Sequence, residues 1–321
     1  MEHINRKFAD YKIMDVTLRD GGLINNFKFS DNFVSALYKA NCEAGIDIME
    51  FGYKASKRLY SPEEYGKWKF CDEESIRNVV KDVDKNMMIS VMADVGRTDY
   101  KQDIIEKRES IIDMIRVATY SKDMNEAIHM IQYIKERGYY VTCNIMAIST
   151  DSEQTIRNAL DVVVKSDVDG VYVVDSYGAL YPDDITYLTK LFMEYTQKYE
   201  KVVGIHAHNN QQMAFANTVT ALHNGARLLD VSVNGMGRGA GNCMMELLVA
   251  YLREANYRIE PILDFLAKEM NPLKQQGIQW GYDTMYLISG MLNQHPRTAI
   301  SLLNGTQQNY VDYYNDMVEG E

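Results

Sequence analysis

Residues 13–22 read Ile13-Met14-Asp15-Val16-Thr17-Leu18-Arg19-Asp20-Gly21-Gly22. The apolar and β-branched residues of this stretch predict a strand, and the two glycines predict a turn directly after it. The predicted strand would end by presenting Arg19 and Asp20, a cation next to an anion. Such a pair is typical either of a surface ion pair or of the edge of an active site. The rest of the chain decides between the two interpretations.

Short β-type runs alternate with amphipathic helical segments about eight times along the chain. After the opening strand, strands are predicted at residues 47–53, 87–94, 114–120, 140–148, 170–175, 202–208 and 228–233. Apolar strands separated by helices indicate a parallel sheet that is covered by helices. We therefore predict an α/β protein of the (β/α)8 TIM barrel type. The alternative is an open doubly wound sheet, but its Gly-x-Gly-x-x-Gly turn is missing after the first strand.

The pattern changes to helices alone in the last fifth of the chain. Helices are predicted at 262–270, 280–292 and 298–303, and residues 310–321 read as a tail that frays. The predicted organisation is a catalytic TIM-barrel domain over residues 1–257, followed by a C-terminal helical extension over residues 258–321.

Charge and cysteine usage exclude several classes of protein. The formal net charge of −11 argues against a nucleic-acid partner, because affinity for phosphate backbones comes from clustered Lys and Arg. The four cysteines form no CxxC pair, so neither a zinc knuckle nor a disulfide framework is indicated. The N-terminus has no apolar signal segment, and no run is long enough to span a bilayer. These features predict a cytoplasmic protein without a membrane partner.

The pair His206 and His208 is the strongest indication of a metal site. Residues two apart on a strand point to the same face of the sheet, so both imidazoles can bind one cation. In a closed barrel the first strand brings Asp20 next to them, although strict alternation turns Arg19 and Asp20 to opposite faces. We therefore expect the Gly21-Gly22 turn, or a bulge, to redirect the chain. Two nitrogens and a carboxylate suit Mn²⁺, Mg²⁺, Fe²⁺ or Zn²⁺.

A glycine-rich segment follows the eighth predicted strand, over residues 234–242. Such loops expose backbone N–H groups to anions, and TIM barrels often bind phosphate at this position. The alternative is a tight turn between a strand and a helix. Arg238 within the segment is a candidate partner for a carboxylate, or an ordinary exposed arginine.

Three motifs in this order resemble the DRE-TIM metallolyase superfamily: Asp15-Val16-Thr17-Leu18-Arg19-Asp20-Gly21, His206-Ala207-His208-Asn209-Asn210 and Gly235-Met236-Gly237-Arg238-Gly239-Ala240-Gly241-Asn242. That group includes hydroxymethylglutaryl-CoA lyase, the isopropylmalate and homocitrate synthases, and 4-hydroxy-2-oxovalerate aldolase. The similarity is greatest to the last branch, because residues 115–119, 174–176 and 281–286 also resemble it.

The resemblance implies a role for several residues. Asp20, His206, His208 and Asn242 would hold a divalent cation, Mn²⁺ or Mg²⁺ in this group. Arg19 would stabilise an enolate oxygen beside that cation. Glu50 would orient a ligand or a water, and Tyr286 would reach the aldol acceptor.

The sequence also departs from the aldolase pattern. That branch has a histidine as general base three residues after the metal aspartate, and here the position is Leu23. Tyr120 stands where a histidine commonly follows the fourth strand. Candidates for a replacement base are Tyr120, Glu50 or a hydroxide on the cation.

The sequence as a whole predicts a metal-dependent carbon–carbon lyase, an aldolase that acts through a pyruvate-type enolate on a small 2-oxo acid and an aldehyde. Two alternatives remain: a Claisen-type transferase that condenses an acyl-CoA with a 2-oxo acid, and a non-catalytic barrel that binds a 2-oxo acid. A homodimer is a candidate assembly. An aldehyde dehydrogenase is a candidate partner by analogy with the aldolase branch alone.

Overall fold

The computed structural model describes residues 10–83, 86–303, 305 and 309–319. Eight parallel strands form a closed barrel in sequence order, and β8 pairs with β1 through Ile13 and Leu229. This confirms the predicted (β/α)8 fold. The strands are β1 Lys12–Asp15, β2 Ile48–Tyr53, β3 Met88–Asp94, β4 Met114–Thr119, β5 Tyr140–Ile145, β6 Gly170–Asp175, β7 Val202–Ala207 and β8 Leu228–Val231.

Helices cover the outside of the barrel and continue after its last strand. They are α1 Thr17–Asn25, α2 Asp31–Ala44, α3 Glu73–Val80, α4 Tyr100–Asp103, α5 Met124–Glu136, α6 Glu153–Val163, α7 Pro182–Thr196, α8 Ala214–His223, α9 Met245–Leu252, α10 Glu260–Phe265, α11 Asn271–Gln275, α12 Thr284–Met291, α13 Arg297–Leu303 and α14 Tyr310–Glu319. Side chains such as Ser30, Asp72 and Ser152 accept a backbone N–H at the start of a helix, as helix N-caps commonly do.

The prediction for residues 13–22 is wrong in one respect, because β1 ends at Asp15 and α1 begins at Thr17. The buried Asp15 carboxylate accepts the backbone N–H of Thr17 at 2.9 Å and also the Thr17 hydroxyl. That hydroxyl in turn accepts the backbone N–H of Val233 at 2.9 Å. A buried carboxylate therefore fixes the junction between β1 and α1 against the loop after β8.

Arg19 and Asp20 consequently lie in the first turn of a helix, and no alternation along a strand applies to them. The two glycines are helical residues rather than a turn. Gly22 is required there because a Cβ atom would lie 2.2 Å from the ring of Phe27.

Two apolar layers enclose the strands. The larger layer fills the space between the sheet and the helices. The smaller one fills the barrel interior, where the ring of Tyr172 packs against Gly204 so closely that a Cβ at Gly204 would lie 2.5 Å from a ring carbon. On its other side the Tyr172 ring lies 4.2 Å from the guanidinium carbon of Arg116. The Tyr172 ring thus lies between the apolar interior and the charged side chain of Arg116.

Helices α12, α13 and α14 form a small core of their own against the glycine-rich loop, whereas α10 packs into the main core through Ile262 and Phe265. The small core joins Ala240 of the loop to Met285, Tyr286 and Ile288 of α12, Ala299 of α13 and Tyr313 of α14. The expectation that the tail frays is wrong for α14, whose Tyr313 is buried in that core. Across the described residues, every helix is too short or too polar to cross a bilayer.

Gly204→Ala is expected to destabilise the barrel by about 1–3 kcal/mol, because the added methyl group forces the buried Tyr172 ring out of place. Gly305→Ala is the matched control, since the atom nearest to its added Cβ lies at an ordinary 3.4 Å. Urea unfolding of both variants measures the difference. Equal stability of the two would show that the interior packing is not as described.

Candidate active site

Three buried side chains converge at the carboxyl ends of the strands, where TIM barrels carry their active sites. One ligand atom each from Asp20, His206 and His208 lies within 4.8 Å of the others. This proximity makes the three side chains a candidate site for one metal ion. The structure thus brings together the three residues that the sequence singled out as a metal site.

The protonation states of this cluster favour a cation. Burial by itself would raise the pKa of Asp20, but the guanidinium of Arg19 and the two imidazoles hold that pKa well below its ordinary value. Burial lowers the pKa of His208 well below that of a free imidazole. A carboxylate and a neutral imidazole are the forms that bind metal ions.

Asn242, the fourth predicted ligand, lies beside the cluster. Its Nδ2 donates to Asp20 Oδ2 at 2.9 Å, and its buried Oδ1 has no hydrogen-bond partner. Only glycine fits at Gly237 of the same loop, since a Cβ would lie 2.4 Å from Asp20 Oδ2. An unpartnered amide oxygen next to a carboxylate and two imidazoles matches the donor set of a divalent cation.

Arg19 lies against this cluster and is held by carboxylates on two sides. Its Nη1 donates to Asp20 Oδ1 at 2.7 Å, and its Nε donates to Glu50 Oε2 at 2.9 Å. Its Nη2 lies 3.4 Å from His206 Nε2. Glu50 is fully buried behind Arg19. It therefore orients the guanidinium and does not reach the cavity.

Asp230, which the sequence analysis missed, orients His206 from below. Its Oδ2 lies 3.0 Å from His206 Nδ1 and accepts from Arg116 Nη2 at 2.6 Å. Arg116 Nη1 also donates to Glu50 Oε2 at 2.8 Å. The carboxylate thus directs the other ring nitrogen of His206 upward. A charged residue in the otherwise apolar β8 is the sequence signal that could have found it.

A cavity opens above the cluster, with about 550 Å³ of empty space that includes open solvent. Leu23 and Tyr120 both line it, and 39% of each side chain is exposed. Tyr120 therefore faces the cavity as predicted, and the position of the missing histidine base is occupied by an apolar side chain. The remaining lining includes Arg19, Asp20, Tyr53, Met92, Ala118, Asn144, Met146, Ala147, Val174, Ser176, Tyr177, His206, His208, Arg238 and His295.

Tyr286 is not among the residues that line this cavity. Its ring packs over Gly239, 3.4 Å from where a Cβ would stand, and it belongs to the core of the C-terminal helices. The C-terminal segment contributes a different residue, His295, which the sequence analysis did not find. His295 lies between α12 and α13, where no local pattern marks it.

Asp20→Asn is expected to abolish tight Mn²⁺ binding, because it removes the only carboxylate of the three-residue cluster. Asp230→Asn is expected to weaken binding about 10- to 100-fold, because it removes the group that orients His206. Asp94→Asn, an acidic position at the end of β3 outside the cluster, is the control. Isothermal titration calorimetry with Mn²⁺ measures all three. Unchanged affinity in Asp20→Asn would contradict the assignment of the site.

The chain is similar to an aldolase and to a decarboxylase. The chain is 29% identical over 251 residues to a 4-hydroxy-2-oxovalerate aldolase of Pelotomaculum thermopropionicum, which covers 78% of this chain and 72% of that protein. It is 28% identical over 282 residues to an oxaloacetate decarboxylase of Mycobacterium tuberculosis, which covers 84% of this chain and 79% of that protein.

Solved structures show the same fold. The N-terminal domain of a "putative aldolase" from Bacteroides vulgatus superposes with a TM-score of 0.79 at 26% identity, over 97% of this chain and 100% of that one. The carboxyl transferase domain of Rhizobium etli pyruvate carboxylase shares the fold at 14% identity, with a TM-score of 0.69 over 91% of this chain and 53% of that one. The model of the HMGL-like family matches residues 10–268. By that match the protein belongs to the HMGL-like family.

Proposed function

We propose that the protein is a divalent-metal-dependent lyase that makes or breaks the C3–C4 bond of a 2-oxo acid, through a pyruvate-type enolate. The observation that carries the proposal is the guanidinium of Arg19, which borders the cluster of Asp20, His206 and His208 at the floor of a cavity. When bound, a divalent cation such as Mn²⁺ or Mg²⁺ would supply a Lewis acid at this position.

The balance of buried charge supports an anionic substrate together with a cation. Asp20, Glu50 and Asp230 contribute three carboxylates against the two guanidiniums of Arg19 and Arg116, which leaves one negative charge. A divalent cation together with one substrate carboxylate would therefore bring the net charge of these groups to zero. Buried charges are stable only when they are balanced in this way.

Arg19 is the residue of this chain that stabilises the developing enolate. Its guanidinium is held in place before the substrate arrives, by Glu50 and Asp20, and it donates hydrogen bonds to negative charge that develops on the substrate keto oxygen. A preorganised donor of this kind stabilises an enolate without having to reorganise during the reaction.

Aldol cleavage of a 4-hydroxy-2-oxo acid is the first candidate reaction. The C3–C4 bond breaks, its electron pair passes to the enolate, and an aldehyde leaves as the C4 hydroxyl loses its proton to a base. Tyr120 lies at the cavity as a candidate for that base. Relatives at 28–29% identity named 4-hydroxy-2-oxovalerate aldolase support this reaction.

Decarboxylation of a 3-carboxylated 2-oxo acid is the second candidate, and Leu23 favours it. In this reaction the electron pair of the enolate comes from the bond to the departing CO₂, so no base has to remove a proton. An apolar residue in place of the histidine base is compatible with that chemistry. The relative named oxaloacetate decarboxylase supports it.

Arg19→Met is expected to lower the rate of pyruvate release from either 4-hydroxy-2-oxovalerate or oxaloacetate about 10²- to 10³-fold, because one preorganised donor to the oxyanion is lost. Arg58→Met, an exposed arginine paired with Asp99, is the control. A coupled assay for pyruvate, with and without Mg²⁺ or Mn²⁺, measures the effect. Full activity in metal-free protein, or in Arg19→Met, would exclude the proposed mechanism.

Leu23→His separates the two reactions. If the missing base limits aldol cleavage, the histidine raises cleavage of 4-hydroxy-2-oxovalerate at least about 10-fold and changes decarboxylation of oxaloacetate little. Leu23→Gln places a polar side chain of similar size there without a base and should raise neither. Equal effects of Leu23→His on both substrates would show that position 23 does not serve as the site of a base.

A further inference from the structure

We propose that Arg238 makes the wall of the active-site cavity beside Ser176, Tyr177 and His295 a binding site for a second carboxylate, so that the substrate is a 2-oxo acid with an acidic group at its other end. This inference rests on the proposed function, because it presumes that the substrate's first carboxylate and keto group lie at the cation held by Asp20, His206 and His208. It adds an acidic group at the other end of the substrate, which oxaloacetate has and 4-hydroxy-2-oxovalerate lacks.

The guanidinium of Arg238 has only neutral partners. Its Nη1 contacts His295 Nε2 at 3.1 Å, and its Nη2 donates to the carbonyl oxygen of Ser176 at 2.8 Å. Its Nε is buried and has no hydrogen-bond partner. Among the described residues, no carboxylate pairs with this guanidinium, whereas Arg19 and Arg116 each contact two carboxylates at 2.6–2.9 Å.

His295 holds Arg238 in place without cancelling its charge. An arginine only donates, so in the neutral ring His295 Nε2 accepts from Arg238 Nη1. Burial, together with the positive charges of Arg238 and Arg297, lowers the pKa of His295 to about 4. The imidazole is therefore neutral near pH 7, and its ring is fixed against Tyr177 with centroids 5.4 Å apart.

Arg238 contacts the site with both its backbone and its side chain. Its backbone N–H donates to Asp20 Oδ2 at 3.2 Å, while its side chain extends along the cavity wall toward Ser176, Tyr177 and His295. The Arg238 side chain thus lines the same cavity as Asp20, His206 and His208. A second carboxylate of the substrate would supply the anion that this guanidinium lacks, as planar bidentate pairing with arginine favours.

The test compares two unreactive five-carbon acids that differ only at their far end, 2-oxoglutarate with a carboxylate and 2-oxopentanoate with a methyl group. Their dissociation constants are measured by calorimetry on the Mg²⁺-loaded protein. Wild type is expected to bind 2-oxoglutarate about 10- to 100-fold more tightly, the range for a hydrogen bond between charged groups. Arg238→Met should remove this preference, and Arg238→Lys should keep part of it.

A second pair of variants leaves Arg238 in place. His295→Asp supplies an internal carboxylate beside the guanidinium and should abolish the preference, whereas His295→Gln keeps a neutral acceptor and should retain it. If Arg238 only links the barrel to the C-terminal segment, the Arg238 variants weaken the binding of both acids alike. The ratio of the two dissociation constants then stays unchanged, which contradicts the proposal.

The outcomes separate this inference from the proposed function. Equal binding of the two acids by wild type, or a preference that survives Arg238→Met, overturns the second carboxylate site and leaves the 2-oxo acid site intact. Binding of neither acid overturns both.

Discussion

A closed circuit of buried ion pairs and hydrogen bonds across the barrel is the constraint on which the rest of the structure depends. It runs from Asp20 to Arg19, Glu50, Arg116 and Asp230, and returns through His206 to Arg19. Every member is buried, and an unpaired buried charge destabilises a protein by about 3–5 kcal/mol. The members come from α1, β2, β4, β7 and β8, so pairing among them requires these elements to meet in one register.

The circuit also holds the side chains at the cavity floor in place. Arg19 and His206, the two members that face the cavity, are each held from behind by a carboxylate, Glu50 and Asp230 respectively. Arg116 is fully buried and lies over the ring of Tyr172, and its guanidinium donates to both carboxylates. The donors at the cavity floor are therefore oriented before substrate binds, and that orientation is what electrostatic catalysis requires.

The sequence predicts most of the fold and the cluster of Asp20, His206 and His208, because both leave local signals. Apolar strands at regular intervals mark the barrel, and His206 and His208 stand two apart on one strand. The beginning of α1 could not be read in this way: its Gly21-Gly22 pair is typical of a turn, and the helix is stabilised by Asp15 and by contacts with distant residues such as Val233. Asp230 leaves a local signal as a charge in an apolar strand, but its contact with His206 depends on the closure of the barrel. His295 reaches the site through the packing of the C-terminal helices, which no local pattern encodes.

The central claim is that a divalent cation at Asp20, His206 and His208 acts together with Arg19 on a planar enolate. Oxalate has the planar, doubly charged form of the pyruvate enolate, and calorimetry of its binding tests the claim most directly. The account predicts that oxalate binds the Mg²⁺-loaded protein, fails to bind the metal-free protein, and binds Arg19→Met at least about 10-fold more weakly. Equal oxalate binding with and without Mg²⁺, or undiminished binding to Arg19→Met, would contradict it.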